Sequence, residues 1–271
     1  MSRLTLVGTG YRVAGQVTPE TRVTMETADV LFYLVTDPAT GAWLRTLNPR
    51  ATSLQDCYRE GEDGAVAARR MAERMVAPLR EGGPEGRPDG SSVCAAFSGH
   101  PAVLVHAARL AAEQARAEGF AVSMLPAISC EDCLFAELGV DPAVPGRVLF
   151  DATDFLLRPR DFDTTAALVL LQVGAVGLRD YRSGREPNRD GMRVLAETLR
   201  RWYPAEHPVV LYEAGTLPPF DPKVVRVPLA ELGEAPASVV STLYVPPLPL
   251  PPIDEERAAR LRATLPPVAA S

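Results

Sequence analysis

The feature that most constrains this chain is an alternation of short apolar runs with longer helical stretches over its first half. "RLTLV" (residues 3–7), "DVLFYLV" (29–35), "VCAAF" (93–97) and "FAVSMLP" (120–126) are each too short for a buried helix and read as buried strands. Helical stretches stand between and after them. One opens at Thr18-Pro19 and ends near Ala28, "DPATGAWLRTL" follows Asp37, a third runs over about 64–80, an alanine-rich one over 102–118, and "SCEDCLFAEL" over 129–138. Thr18 and Asp37 can each accept a free backbone N–H at a helix start, and the proline after each lacks only an N–H that would be unpaired there. Strands separated by helices must run parallel, with the helices covering the sheet faces.

The second half has another rhythm. "RVLFDA", "AALVLLQV", "PVVLYEA", "KVVRVPL" and "SVVSTLYVP" are strand-like, and the helices among them are one near 193–203 and the short "PLAEL". The expectation is an α/β protein of two α/β domains, residues 1–125 and 126–250, with a second, mixed sheet. A proline-rich and then helical tail covers 251–271. "EGGPEGRPDGSS" (81–92) is expected to be an exposed loop.

The net charge of −6 gives no general basic field for nucleic acid, and no stretch has the roughly 18 apolar residues of a membrane span. "MSRLTLVGTGY" reads as a first strand and not a signal peptide, and four scattered cysteines make no disulfide framework. A cytoplasmic setting is expected.

Several stretches can carry chemistry. Gly8 and Gly10 follow the first strand but lack the third glycine of a dinucleotide fingerprint, since position 13 is Val. They are either turn formers or a place where backbone approaches a ligand at the strand carboxyl ends. Cys130 and Cys133 in "CEDC" have redox or half-zinc spacing, but no second pair follows and Glu131 and Asp132 would oppose a thiolate. No metal is expected. "FSGHPAVLVHAA" is a strand, a tight turn and a helix start, either a plain connection or a set of backbone N–H groups facing a polar ligand. Gln172 ends a long apolar strand, where a buried amide needs a structural or ligand partner. Three histidines give no defensible nucleophilic triad.

"LTLVGTG", "TPET", "TADVLFY", "FSGHPAV", "LPAISCEDCLFAELGVDP", "VLFDATDFLLRPRDFD", "LVLLQVGAVG" and "STLYVPP" occur in this order. Together they resemble the tetrapyrrole-methylase superfamily, the class III methyltransferases that use S-adenosylmethionine (SAM). "ISCEDCLFAELGVDP", "ATDFLLRPRDFD" and "LQVGAVG" resemble the borosin peptide backbone α-N-methyltransferases more than the corrin-ring enzymes. The likeness covers about residues 3–250. It implies two α/β domains with SAM in the cleft between them, and a homodimer. The chain ends soon after "STLYVPP", so it resembles the split type, acting on a separate precursor peptide.

The resemblance carries SAM contacts onto Ser98, His100, Pro101, Val103, Ser129, Cys130, Gln172, Tyr212, Ser241 and Thr242. The family's acceptor-side pattern, Y-x-x-G-K-x-R-x-x-T-Y-x-x-M, is matched by Tyr58, Gly61 and Met71. Its lysine is Glu62, its arginine Gly64 and its second tyrosine Ala68. Gln55 stands for an upstream tyrosine, and Ser98 for the one before "GHP". An amide nitrogen is a weak nucleophile, so losing the arginine and tyrosines removes means of stabilising the developing charge. Tyr58 is the inherited catalytic candidate, with Arg69 (or its neighbour Arg70) and Tyr11 as candidates for the missing polar work. The alternatives are an easier small-molecule nucleophile, or a non-catalytic partner that binds SAM or peptide.

Overall fold

The computed structural model describes residues 2–82, 90–217 and 221–264. A first sheet is built from β1 (Arg3–Gly8), β2 (Val30–Leu34), β3 (Thr52–Ser53), β4 (Ser92–Phe97) and β5 (Ala121–Met124). All pairings are parallel, in the spatial order β3-β2-β4-β1-β5. The helices are α1 (Pro19–Thr27), α2 (Pro38–Leu47), α3 (Gly64–Glu81) and α4 (His106–Ala117). Thr18 and Asp37 cap α1 and α2 as their position suggests, accepting from Thr21 N–H and from Ala39 and Thr40 N–H.

The pleat divides the strand side chains between two faces. Leu4, Leu6, Phe32, Val93, Ala95 and Phe97 face α3 and α4, while Val7, Leu31, Tyr33, Cys94 and Ala96 face α1 and α2. Five alanines of α4 are buried, which lets that helix lie close against α3 and the sheet.

A second five-stranded sheet contains β6 (Arg147–Asp151), β7 (Ala167–Leu171), β8 (Pro208–Glu213), β9 (Lys223–Pro228) and β10 (Thr242–Val245), ordered β6-β7-β10-β8-β9. Only β6 and β7 are parallel, and the other pairings are antiparallel. The mixed sheet is as expected. Its helices are α5 (Cys130–Leu138), α6 (Ala152–Leu157) and α7 (Arg189–Leu199). Helix α8 (Glu255–Ala263) follows in the tail and buries none of its side chains.

Some boundaries differ from the sequence reading. The helix expected from residue 102 begins at His106, because 98–105 form a turn in which Leu104 takes the left-handed region, φ 57°. "PLAEL" is a 3-10 turn over Leu229–Glu234. Helix α6 was not expected, since its six residues are too few to show a period. Much of the expected loop at 81–92 lies outside the described residues.

Candidate cofactor and acceptor site

The connection after β1 leads to α1 on one face, whereas the connection after β4 leads to α4 on the other. These neighbouring strands therefore form the topological switch point, where open α/β sheets leave a crevice at the strand carboxyl ends. Here the two loops touch. Gly99 N–H donates to Gly10 carbonyl at 2.8 Å, and Gly10 N–H returns to Gly99 carbonyl at 3.4 Å. A Cβ on Gly8 would stand 2.0 Å from the Gly99 carbonyl oxygen and 3.0 Å from Pro101. Gly8 thus lets the turn at Gly99 pack directly on the end of β1.

The second sheet reaches this rim. Tyr11 and Val103 pack onto its inner cluster of Cys133, Leu134, Val169, Leu171, Tyr212 and Tyr244. Gln16 ties the β1 loop to α5, accepting from Tyr11 N–H at 2.6 Å and donating to Cys133 sulfur at 3.3 Å. Arg12 pairs with Glu137 at 3.2 Å, and Val13 N–H donates to Thr216 carbonyl at 3.0 Å.

Most motif side chains are consumed in building this rim. Ser98 Oγ accepts from Thr36 N–H at 2.9 Å. His100 Nδ1 accepts from Ala102 N–H at 3.0 Å, and its carbonyl from Val103 N–H at 3.0 Å. Pro101 is buried. Ser129 and Asp132 form a capping box on α5. The Cys130 thiol lies beside Tyr11 and Thr242, and burial raises its pKa. Ser241 is fully buried, with its hydroxyl on Glu213. Thr242 lies in β10 between two paired strands.

Two placements depart from the sequence reading. Gln172 is exposed, not buried, and sits in the left-handed region at φ 57°, ψ 41°. The chain must leave β7 sharply there, because a Cβ on Gly174 would stand 2.0 Å from the Ser238 carbonyl. Tyr212 is a core side chain, 1% exposed, whose hydroxyl donates to Glu137 within a strand paired on both sides. It has no free side-chain group to offer a ligand.

What remains open on the rim is backbone. Among the described residues, the N–H groups of His100, Leu104, Ala127 and Ile128 have no hydrogen-bond partner. Leu104 and Ile128 are also exposed, at 46% and 37%. Among the described residues, Ala14, Leu104 and Gln172 are the non-glycine residues with positive φ, and each lies in the loop leaving a strand, β1, β4 or β7. Such strained residues cost on the order of 1–3 kcal/mol each and gather at ligand sites. Unpartnered main-chain donors on this rim suit a ligand like SAM, whose carboxylate, hydroxyls and adenine edge pair with backbone groups. No group of three or more His, Cys, Asp or Glu side chains among the described residues is arranged for a metal.

Tyr58 lies in the loop after β3, on the same carboxyl edge of the sheet. Its ring packs on the α3–α4 core and stacks on Tyr181, 4.5 Å between centroids and 17° between planes. Tyr181 comes from the segment after β7, which pairs with the loop before α3. Tyr181 N–H donates to Glu62 carbonyl at 2.8 Å, Gly61 N–H to Tyr181 carbonyl at 2.8 Å, and Gly64 N–H to Arg179 carbonyl at 2.9 Å. Nothing in the sequence marked Tyr181.

The other acceptor-side candidates are placed as follows. Arg70 is bound to Glu62 in bidentate fashion, at 2.8 and 2.9 Å, and to the Cys57 carbonyl. Arg69 is exposed, and its side chain makes no hydrogen bond or ion pair among the described residues. Tyr11 is mostly buried with its hydroxyl on Cys130, and burial raises its pKa. That hydroxyl braces the Gly99 turn and is not free for an acceptor.

Residues 3–233 match the model of the Tetrapyrrole (Corrin/Porphyrin) Methylases. The chain is 39% identical over 249 residues to the methyltransferase/ribosomally synthesized cyclic peptide omphalotin A precursor of Omphalotus olearius, covering 90% of this chain and 57% of that protein. It is 36% identical over 263 residues to the methyltransferase/type III borosin cyclic peptide precursor of Anomoporia bombycina, covering 96% of this chain and 30% of that one. The chain therefore spans only part of these relatives' length. Among solved structures it is similar to uroporphyrin-III-C-methyltransferase from Thermus thermophilus, with TM-score 0.62 and 20% identity over 90% of this chain and 92% of that one. A structure of the Thermus thermophilus enzyme complexed with S-adenosylhomocysteine has TM-score 0.57 at 15% identity, over the same shares. At these identities the likeness concerns the fold.

Proposed function

The chain belongs to the tetrapyrrole methylase family, and we propose that it methylates backbone amide nitrogens of a peptide supplied as a separate molecule, using SAM. The reading takes residues 1–125 and 126–250 as two domains closing on the cofactor, and a homodimer as the working unit. The observation that carries it is the convergence, on one strand-end rim, of unpartnered backbone N–H groups with an unpartnered tyrosine hydroxyl, in a chain 39% identical to a peptide-precursor methyltransferase.

The turn 98–104 and the stretch 127–130 would hold SAM by their main chain, with Gly8 letting the turn pack close to β1 and Gln172 and Val103 at the site's border. Bound there, SAM would supply a methyl group from its sulfonium sulfur, which would keep the electron pair of the broken carbon–sulfur bond, while the amide nitrogen that takes the methyl would give up its proton to solvent. The protein's part is placement and electrostatics. Holding donor and acceptor in line removes much of the barrier. Tyr58 is kept protonated at neutral pH by burial and by the neighbouring Tyr181, so it donates to the amide oxygen and does not act as a base.

A second reading is a non-catalytic SAM- or peptide-binding partner, favoured by Gly64 and Ala68 where the family has arginine and tyrosine. One experiment separates the two. Purified protein is incubated with SAM and, in turn, each short peptide encoded beside its gene and the omphalotin A precursor peptide. Mass increments of one methyl each support the enzyme. SAM binding by calorimetry with no increment on any peptide supports the partner.

A further inference from the structure

The loop that carries Tyr58 is completed by the second half of the chain. Segment 179–185 lies against residues 60–64 through the three backbone bonds described above, and Ser183 N–H adds one to the Glu60 carboxylate at 2.9 Å. Asp180 anchors the segment from within. Its carboxylate takes both Arg185 terminal nitrogens, each at 2.9 Å, and Arg182 Nε at 2.8 Å. The contacts fall on the positions where polar side chains are missing. Gly64, with no side chain of its own, donates to Arg179 carbonyl, and Gln55 Nε2 donates to the Tyr181 hydroxyl at 3.1 Å.

The result is two phenols side by side with their protons uncommitted. Tyr58 hydroxyl has no hydrogen-bond partner among the described residues and is not a buried atom. Tyr181 oxygen accepts from Gln55, which leaves its O–H free to donate elsewhere. The near-parallel stack brings the two rings to one spot on the rim. Two neutral phenols whose rings stack suit a single acceptor that carries negative charge once its nitrogen has lost its proton.

We propose that Tyr58 and Tyr181 form a two-hydroxyl clamp on the carbonyl oxygen of the acceptor amide, so that Tyr181, delivered from the second half, is a catalytic residue. The proposal rests on the peptide-methylation reading. When the amide nitrogen gives its proton to solvent, negative charge spreads onto the amide oxygen, and it is discharged again as the nitrogen–carbon bond forms; the oxygen itself neither loses nor gains a proton. It needs only donors that strengthen as the nitrogen is made nucleophilic, and both phenols keep their protons throughout. Gln55 is a positioning residue that aims the Tyr181 O–H by occupying its oxygen.

The test compares wild type, Tyr181→Phe, Tyr58→Phe and the double variant, with SAM and whichever peptide wild type methylates. Tyr181→Phe keeps the ring and its stack, so melting temperature and SAM affinity by calorimetry should match wild type, while kcat falls about 100-fold. The double variant should lose little beyond either single one, because a clamp acts as a unit. Tyr181→Phe with wild-type kcat overturns the clamp alone. Loss of kcat accompanied by equal loss of SAM affinity or of melting temperature also overturns it, since Tyr181 would then act through the fold. If wild type methylates no peptide, the proposed function fails and the clamp fails with it.

Discussion

The carbonyl oxygen of Gly99 occupies the space where any side chain on Gly8 would begin, 2.0 Å from an added Cβ. Gly8 is the last residue of β1, held in register opposite Phe97 of β4, and the turn at Gly99 is fixed in turn by its bonds to Gly10. Neither backbone can give way cheaply. Gly8→Ala should therefore open the rim, costing roughly 1–3 kcal/mol as overpacking does. Thermal denaturation should register this as a fall of several degrees, and calorimetry should show SAM affinity reduced at least tenfold.

The Asp180 anchor gives a second expectation. Arg185 is mostly buried and holds Asp180 through two carboxylate bonds and one to its carbonyl at 2.7 Å. Arg185→Ala leaves these acceptors with Arg182 alone, and segment 179–185 should loosen. Amide exchange at Tyr181 and Gly64 should quicken by tenfold or more while exchange in β1 stays unchanged, and kcat should fall with Tyr181 displaced. The Arg185 and Arg182 guanidiniums hold the Asp180 carboxyl well below the usual range. Its contribution is thus present above the unfolded aspartate value of about 3.9 and is lost only as pH falls below it. Protection factors in this segment, corrected for the intrinsic exchange rate, should be constant near neutrality and fall in acid.

How much of this was legible in the sequence depends on how local each cause is. Parallel strands, the caps at Thr18 and Asp37, and the mixed second sheet follow from runs a few residues long, and they stand where expected. The turn at Ser98–Gly99 was visible as a candidate ligand loop, but its left-handed Leu104 was not, because leucine carries no signal for positive φ. Gln172 was misread as buried: an apolar run predicts burial for the residues inside the strand, and says nothing of a residue where the backbone turns out of it. The partner of Tyr212 was not legible either, because a strand position alone cannot tell that Glu137, 75 residues away in sequence, takes its hydroxyl. Tyr181 was missed altogether, since its importance arises from pairing with a loop more than a hundred residues earlier.

Tyr58 offers a spectroscopic check on the stack. Burial, then the nearby Tyr181, then Cys57 raise its pKa above the ordinary tyrosine value. Tyr181→Phe removes a neighbouring ionisable phenol but leaves an apolar ring, so Tyr58 should titrate lower than in wild type yet still above about 10. Ultraviolet difference titration against Tyr58→Phe isolates the signal. A raised tyrosine pKa stabilises the fold fully below the unfolded value and loses that contribution as pH rises through the folded one, so wild type should lose stability above about pH 10. An unshifted Tyr58 would rule out the buried, stacked arrangement.

The four cysteines are free, and three have raised pKa values. Burial pushes Cys94 up to about 12, and burial is also the leading cause at Cys130 and Cys133. A thiol is reactive as its thiolate, so these three should resist alkylation at pH 8 in the folded protein and react on unfolding. Mass spectrometry after timed iodoacetamide treatment reads this directly. Rapid labelling of Cys130 or Cys133 would restore a redox reading of "CEDC".

Tyr11 can serve as support for the rim or as a reactive group, and a mutant cycle distinguishes them. Its hydroxyl is buried on Cys130, which also receives Thr242, and its ring fills the space beside Gly99, with the oxygen 2.8 Å from where a Cβ there would stand. A buried hydroxyl stripped of its partner costs about 1–3 kcal/mol, whereas removing both partners together is nearly neutral. Cys130→Ala should therefore destabilise the protein by about that amount, and Tyr11→Phe by somewhat less, since the ring remains. The double variant should be more stable than the sum of the single losses predicts, a coupling readable from denaturant midpoints. Activity per folded molecule should fall far less in Tyr11→Phe than in Tyr58→Phe. The opposite ranking, with additive stabilities, would make Tyr11 the reactive phenol and Tyr58 the supporting one.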